Sequence, residues 1–155
     1  MNKRLRNILV GLGIVIVMLQ FVQPTRNLGF VEGKEDISKT VAVPLEVKSI
    51  LQKSCNDCHS NATVYPWYTN IQPLGLWIQH HVDEGKQELN FSTFNLYSPK
   101  KKAHKMEELI EMVETNEMPL NSYTWIHKEA VLNEEDKAVL LNWAKASFTS
   151  LKSAQ

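Results

Sequence analysis

The chain has 155 residues, a mass of 17.8 kDa and equal numbers of basic and acidic residues, 17 of each. This length gives room for one domain of modest size. Three basic residues lie in the first six positions and Arg26 is a fourth, so residues 27–155 carry 13 Lys against 17 acidic residues, a net charge of −4. An acidic body argues against nucleic acid as a partner. The near-average composition excludes a disordered, collagenous or multi-spanning chain.

Residues 1–23 have the pattern of an export signal or a membrane anchor. A basic start is followed by an apolar run from Ile8 to Val22, which is interrupted only by Gln20 and two glycines. As a helix the run spans about 22 Å, between the length of a signal peptide's apolar region and that of a full membrane span. No pair of small residues follows for signal peptidase. We therefore expect an uncleaved single-pass anchor, with a cleaved signal or a buried helix as alternatives.

The position of the basic residues predicts the orientation of this anchor. Because they precede the apolar run, the rest of the chain is expected on the extracytoplasmic (periplasmic) side of the cytoplasmic membrane. Residues 24–43 mix Pro, Gly, Thr, Ser and charged residues without periodicity, which predicts a flexible tether. A single folded domain is expected over residues 44–150.

Apolar residues recur at helical spacing in four parts of this domain. We predict a helix from Pro44 to the first cysteine and a long helix over residues 74–89. A third is predicted to begin after Pro99 and end before Pro119, and a last one to be capped by Asn133. No segment of the sequence alternates convincingly with a period of two residues. The predicted fold class is therefore all-α, a small helical domain preceded by a single membrane-anchor helix.

The segment Cys55-Asn56-Asp57-Cys58-His59 carries the chemistry, and its pattern is C-x-x-C-H. Two thiols three residues apart can each add across one vinyl group of the same haem, while the adjacent imidazole binds the iron. The motif therefore predicts one covalent haem c per chain, bound by Cys55, Cys58 and His59. The alternatives are a thiol redox pair or disulfide, which lacks a preceding strand here, and a zinc site, which lacks a second cysteine pair.

The second axial ligand of the iron is predicted to be Met118. Pro119 disfavours helical geometry at the preceding residue, which places a flexible thioether in a loop. His81 is the alternative sixth ligand, because it lies mid-face on an otherwise apolar helix. His127 and an open sixth position are further alternatives. The other two histidines, His80 and His104, are predicted to face solvent. His104 lies inside the basic run of residues 100–105, which is expected to be an exposed helix start.

Aromatic residues crowd the segment that follows the motif. A haem is a large apolar disc that needs flat, bulky walls. We therefore expect Trp67 and Trp77, together with Leu74 and Ile78, to line its pocket, although ordinary core packing is the alternative. A similar but weaker prediction applies to Tyr65 and Tyr68. Tyr123 and Trp125 follow Met118 closely, and they are expected either to hold the loop of that ligand or to anchor a surface turn.

With these residues the sequence resembles the small single-haem c-type cytochromes of bacteria. More narrowly, it is similar to the membrane-anchored bacterial haem-binding domain family, whose members carry C-x-x-C-H followed by a Pro-Trp-Tyr and a Leu-Asn-Phe-Ser segment. The resemblance covers roughly residues 43–147. The segments that carry it are Cys55 to His59, Pro66-Trp67-Tyr68, Leu89-Asn90-Phe91-Ser92, Met118-Pro119 and the helix from Leu132 to Trp143.

The resemblance implies a cytochrome c-like fold, with the N- and C-terminal helices of the domain packed across each other beside the haem. It also implies thioether bonds at both cysteines and His59 as the axial ligand, with Met118 carried over from the wider cytochrome group. We expect a membrane-anchored electron carrier between redox protein partners, not an enzyme. The alternative is a haem-based sensor or a peroxide-handling haem enzyme with an open sixth position, which would use His81 or His127 as its distal acid or base.

Overall fold

The computed structural model describes residues 1–154 and is built from helices. Those residues contain no β-strand, and an isolated antiparallel bridge joins Leu28 to Ala62. The α-helices are α1 (Lys3–Leu19), α2 (Leu45–Ser54), α3 (Asn56–His59), α4 (Leu74–Glu88), α5 (Pro99–Glu114), α6 (Asn121–Thr124) and α7 (Glu134–Ser153). Short 3-10 turns lie at Ile37–Lys39, Trp67–Asn70, Phe91–Leu96 and Lys128–Ala130. The prediction of an all-α protein is confirmed.

The predicted membrane anchor is wrong. No helix within residues 1–154 combines the length and the apolar character needed to cross a membrane. The helix α1 has 17 residues, whereas a span takes about 20 consecutive apolar ones. Its first four residues include three bases, which shortens the apolar part further. The localisation that depended on the anchor, a haem domain held on the extracytoplasmic side by a single-pass segment, is wrong as well.

The end of α1 is joined to the helical body by a pair of hydrogen bonds. Gln20 follows the helix, and its Nε2 donates to the carbonyl oxygen of Gln72 at 3.0 Å. In return the backbone N–H of Gln72 donates to Gln20 Oε1 at 3.0 Å. These bonds connect α1 to the loop that precedes α4.

Residues 24–43, predicted as a tether, make several contacts with the helices. Lys86 Nζ donates to Asn27 Oδ1 at 2.6 Å, and the backbone N–H of Gly29 donates to the carbonyl oxygen of Asn61 at 2.7 Å. Further along, the indole N–H of Trp143 donates to the carbonyl oxygen of Ala42 at 2.8 Å. Residues 24–43 therefore contact the body at several places, from the loop after the motif to the middle of α7. The division of the chain into domains stays a prediction.

The core lies where α5 and α7 pack along each other, with α2 against α7. Asn133 fixes the start of α7 through a capping box: its side chain accepts from the N–H of Asp136, whose carboxylate accepts from the N–H of Asn133. Three acidic residues in this first turn complement the positive end of the helix dipole. The central buried side chains are Val47, Ile50, Leu51, Phe94, Met106, Leu109, Leu140, Trp143 and Ala144.

We expect Met106→Ala to destabilise the protein strongly. Met106 lies in α5 and is 0% exposed, so its truncation leaves a cavity that costs about 2–5 kcal/mol of unfolding free energy. The matched control is Met18→Ala in α1, where the side chain is exposed and the expected change is within about 0.5 kcal/mol. Urea denaturation measures both variants. Equal stability of the two variants would contradict the placement of Met106 at the centre of the core.

Candidate functional site

The motif lies at the point where α2 ends and a single helical turn begins. Cys55 still donates its backbone N–H to the carbonyl oxygen of Leu51 at 2.9 Å, but its own backbone leaves helical geometry. Its carbonyl oxygen then accepts from the N–H groups of Cys58 and His59, at 3.2 and 2.9 Å. The resulting turn, α3, brings the two cysteines and the histidine onto neighbouring positions around one space.

Both cysteines are free thiols. Burial raises the pKa of Cys55 to about 12, and the charge of Cys58 adds to this effect. Burial, reinforced by the charge of Asp57, raises the pKa of Cys58 to about 11. At neutral pH both residues therefore carry the S–H proton.

The imidazole of His59 is held in one tautomer. Its Nδ1 lies 3.0 Å from the carbonyl oxygens of both Gly85 and Leu89. Since carbonyl oxygens only accept hydrogen bonds, Nδ1 carries the proton and donates. In the neutral ring this leaves Nε2 unprotonated, which is the form that binds a metal. Burial lowers the pKa of His59, which also favours the neutral ring.

Gly85 permits the close approach of α4 that places these two carbonyl groups. A Cβ atom at this position would lie 2.7 Å from the carbonyl oxygen of Cys58 and 3.0 Å from its Cβ. The glycine therefore lets α4 contact the motif turn directly. The ring of His59 is also packed edge to face against Phe91, with 6.3 Å between ring centroids.

Two adjoining cavities of about 320 Å³ each lie beside the motif, which is within the size range of cofactor sites. Cys58 and His81 line the first cavity, whereas Phe91 and Lys105 line the second. Buried Ser54 Oγ has no hydrogen-bond partner among the described residues. Both cavities share six lining residues: Ser54, Cys55, His59, Glu88, Met118 and Pro119. The free thiols, the unprotonated Nε2 and the apolar walls fit a haem.

Met118 lines the same two cavities as His59. It is held by the end of α5, because Asn116 has a left-handed backbone with φ of 59° and turns the chain back. The backbone N–H groups of Glu117 and Met118 then both donate to the carbonyl oxygen of Met112, at 3.0 and 3.1 Å. This loop brings the thioether to the cavities that contain the motif.

His81, the predicted alternative ligand, lines the first cavity but not the second. Its ring packs edge to face on Trp77 with 4.5 Å between centroids, and its Nδ1 lies 3.5 Å from Glu84 Oε2. His127 lines neither of these two cavities. Its Nε2 is 2.9 Å from the hydroxyl oxygen of Tyr68.

The predicted wall residues are not all in one place. Leu74, Trp77 and Ile78 line a third cavity of about 80 Å³. This third cavity shares Cys58 and His81 with the first one. Trp67 is 74% exposed and lines none of the three cavities. The structure thus brings Cys55, Cys58, His59 and Met118 together, sets three wall residues one cavity away and leaves Trp67 at the surface.

Two further side chains make contacts at the site that the sequence did not predict. Tyr123 donates its hydroxyl hydrogen to Asp57 Oδ2 at 2.8 Å, which links α6 to the motif. Burial, together with this hydrogen bond, raises the pKa of Tyr123. Lys105 belongs to a basic run that was expected at an exposed helix start, yet it is buried and lines the second cavity. It precedes Met106 directly and Leu109 by four residues in the buried stripe of α5. Spacing alone does not assign a charged side chain at such a position to the interior, because lysine is almost never buried without a partner.

A comparison with family models gives an independent result. The model described as a haem-binding domain matches residues 14–146. The chain therefore belongs to this haem-binding family, and the prediction of a haem-binding protein is confirmed. The match begins inside α1, so part of that helix belongs to the domain. No curated protein and no solved structure matches the chain.

We expect Gly85→Ala to destabilise the protein by about 1–3 kcal/mol, because the added methyl group forces α4 away from the motif turn. Gly33→Ala is the control: nothing lies within 4 Å of a Cβ atom at Gly33 and its φ is not positive, so no loss is expected. Urea denaturation distinguishes the two. A Gly85→Ala variant as stable as Gly33→Ala would contradict the close helix contact.

Proposed function

We propose that the chain is a monohaem c-type cytochrome, which binds one haem covalently and transfers single electrons between redox protein partners. One observation carries this proposal. Two protonated thiols and an imidazole with an unprotonated Nε2 lie around cavities that Met118 also lines. Family membership supports the haem, and the C-x-x-C-H spacing supports the covalent attachment.

The two cysteines attach the cofactor by the same reaction. The S–H group of Cys55 adds across one vinyl group and that of Cys58 across the other. In each addition a carbon–sulfur bond forms, the S–H bond breaks and the hydrogen goes to the other vinyl carbon. No electrons are gained or lost, so the attachment needs no external oxidant.

His59 and Met118 are the residues that would bind the iron of the haem. The two carbonyl oxygens on Nδ1 fix the orientation of the His59 ring and increase its basicity toward the iron. The bound haem supplies the one-electron couple, and an imidazole with a thioether favours a comparatively high reduction potential. The chain itself orients the ligands and excludes water, so the proposal assigns it no catalytic residue.

The position of His81 favours a second candidate function. Its side chain lines the first cavity, beside the shared wall that contains Met118. If Met118 did not bind the iron, the sixth position would be open, and His81 would be the candidate distal acid or base on the same cavity. The protein would then be a haem-based sensor or a peroxide-handling haem enzyme.

Covalent attachment is tested by extracting the haem with acid and acetone. The full-length chain is produced in a host that matures c-type cytochromes. We expect the haem to remain with the wild-type protein, and with Cys55→Ala or Cys58→Ala through one thioether, but to be extracted from the double variant. Haem that leaves the wild-type protein would contradict covalent attachment, and no haem in the presence of a matured control cytochrome would contradict the whole proposal.

The sixth ligand is tested by adding carbon monoxide to the reduced protein. We expect the wild-type spectrum to stay unchanged, because a bound thioether blocks the iron, whereas Met118→Ala should bind carbon monoxide. Met112→Ala is the control, since Met112 also lines the second cavity but is not a proposed ligand. A wild-type protein that binds carbon monoxide readily would favour the sensor or enzyme instead.

A further inference from the structure

Lys105 is unusual because its charge is buried. It is 8% exposed, and among the described residues Asp36 is the only other buried residue with a formal charge. Asp36 has a clear local role, since its carboxylate accepts from the backbone N–H groups of Gly33 and Ser38 and caps a short turn. No turn or cap explains the burial of Lys105. Lysine is rarely buried without a partner.

Two carboxylates hold Lys105 without using all its donors. Its Nζ lies 3.0 Å from Glu88 Oε2 and 2.6 Å from Glu108 Oε2. Burial by itself would lower the pKa of Lys105, but the bonds to these carboxylates outweigh it and raise the pKa. An ammonium group has three N–H donors. The third has no acceptor within the part of the chain that the structure describes.

The position of Lys105 is at the edge of the haem cavities. It lines the second cavity and also an open surface groove of about 640 Å³, so it stands between the two. The other charged residues on the two haem cavities, the histidines aside, are acidic: Asp57, Glu84, Glu88 and Glu108. Lys105 is therefore the one lysine or arginine that the described cavity walls offer to an anion.

We propose that Lys105 binds a propionate carboxylate of the haem and so determines at which end of the two cavities the propionates lie. The inference rests on the proposed function, because it needs the haem to occupy these cavities. A haem propionate is an anion that must be paired where it meets a protein wall. The side chain of Glu88 is 76% exposed, so it can turn into water and release a donor of Lys105.

A purely structural role makes a different prediction. Glu88 is the last residue of α4, whereas Lys105 and Glu108 lie in α5, so the ion pairs also join two helices. If that is their only role, loss of Lys105 destabilises the protein without changing the propionates. A useful experiment therefore has to observe the propionates themselves.

The test is carbon-13 NMR of the reduced, covalently loaded protein. Growth on carboxyl-labelled 5-aminolevulinic acid labels the haem propionates, and a pH titration gives the pKa of each one. We expect one propionate to titrate below the ordinary carboxyl range near pH 4, and its pKa to rise by about one unit or more in Lys105→Met or Lys105→Gln. Lys105→Arg should keep the low value.

Lys53→Met is the matched control. Lys53 Nζ pairs with Asp136 Oδ2 at 2.7 Å between α2 and α7, and Lys53 lines none of the cavities at the motif. The Lys53→Met variant removes a lysine ion pair between helices, as Lys105→Met does. It should leave the pKa values of the propionates unchanged.

Two results would overturn the inference and leave covalent attachment intact. In the first, both propionates of the wild-type protein titrate in the ordinary carboxyl range, which decides the matter even if the Lys105 variants do not fold. In the second, the Lys105 and Lys53 variants leave the propionates equally unchanged. A wild-type protein without attached label would instead contradict the proposed function, and the inference with it.

Discussion

The contact between α4 and the motif turn is the constraint on which the site depends. At Gly85 the helix backbone approaches Cys58 so closely that a Cβ atom would lie 2.7 Å from its carbonyl oxygen. The same approach places the carbonyl oxygens of Gly85 and Leu89 on Nδ1 of His59. One helix therefore both positions the turn that carries the thiols and fixes the tautomer that leaves Nε2 ready for a metal.

The rest of the fold builds the opposite wall of the cavities. The helices α5 and α7 pack along each other, and the end of α5 determines where the chain turns back toward the motif. Hydrogen bonds to the carbonyl oxygen of Met112 hold Met118 in that turn. The core and the candidate site are thus connected, because α2, which leads into the motif, and α5, which leads into the Met118 loop, both pack against α7. Lys105, on the same helix, supplies the cation at the edge.

Local sequence signals predicted the helices and the motif, whereas features that depend on tertiary contacts were missed. The proline at 44 and the cap at Asn133 mark helix starts, and the C-x-x-C-H spacing is complete within five residues. The anchor prediction failed because an apolar run that includes glycines and follows three bases is close to the limit for a span. The burial of Lys105 and the exposure of Trp67 depend on neighbours that are distant in sequence. The periodicity of a single segment carries no information about such neighbours.

We propose above all that the imidazole of His59 and the thioether of Met118 bind the iron together. Iron-edge X-ray absorption on the covalently loaded, full-length protein tests it directly, because sulfur and nitrogen scatter differently at the iron. The account predicts a first shell of nitrogens from the porphyrin and His59 with one sulfur, and loss of that sulfur in Met118→Ala. A wild-type first shell without sulfur would contradict it.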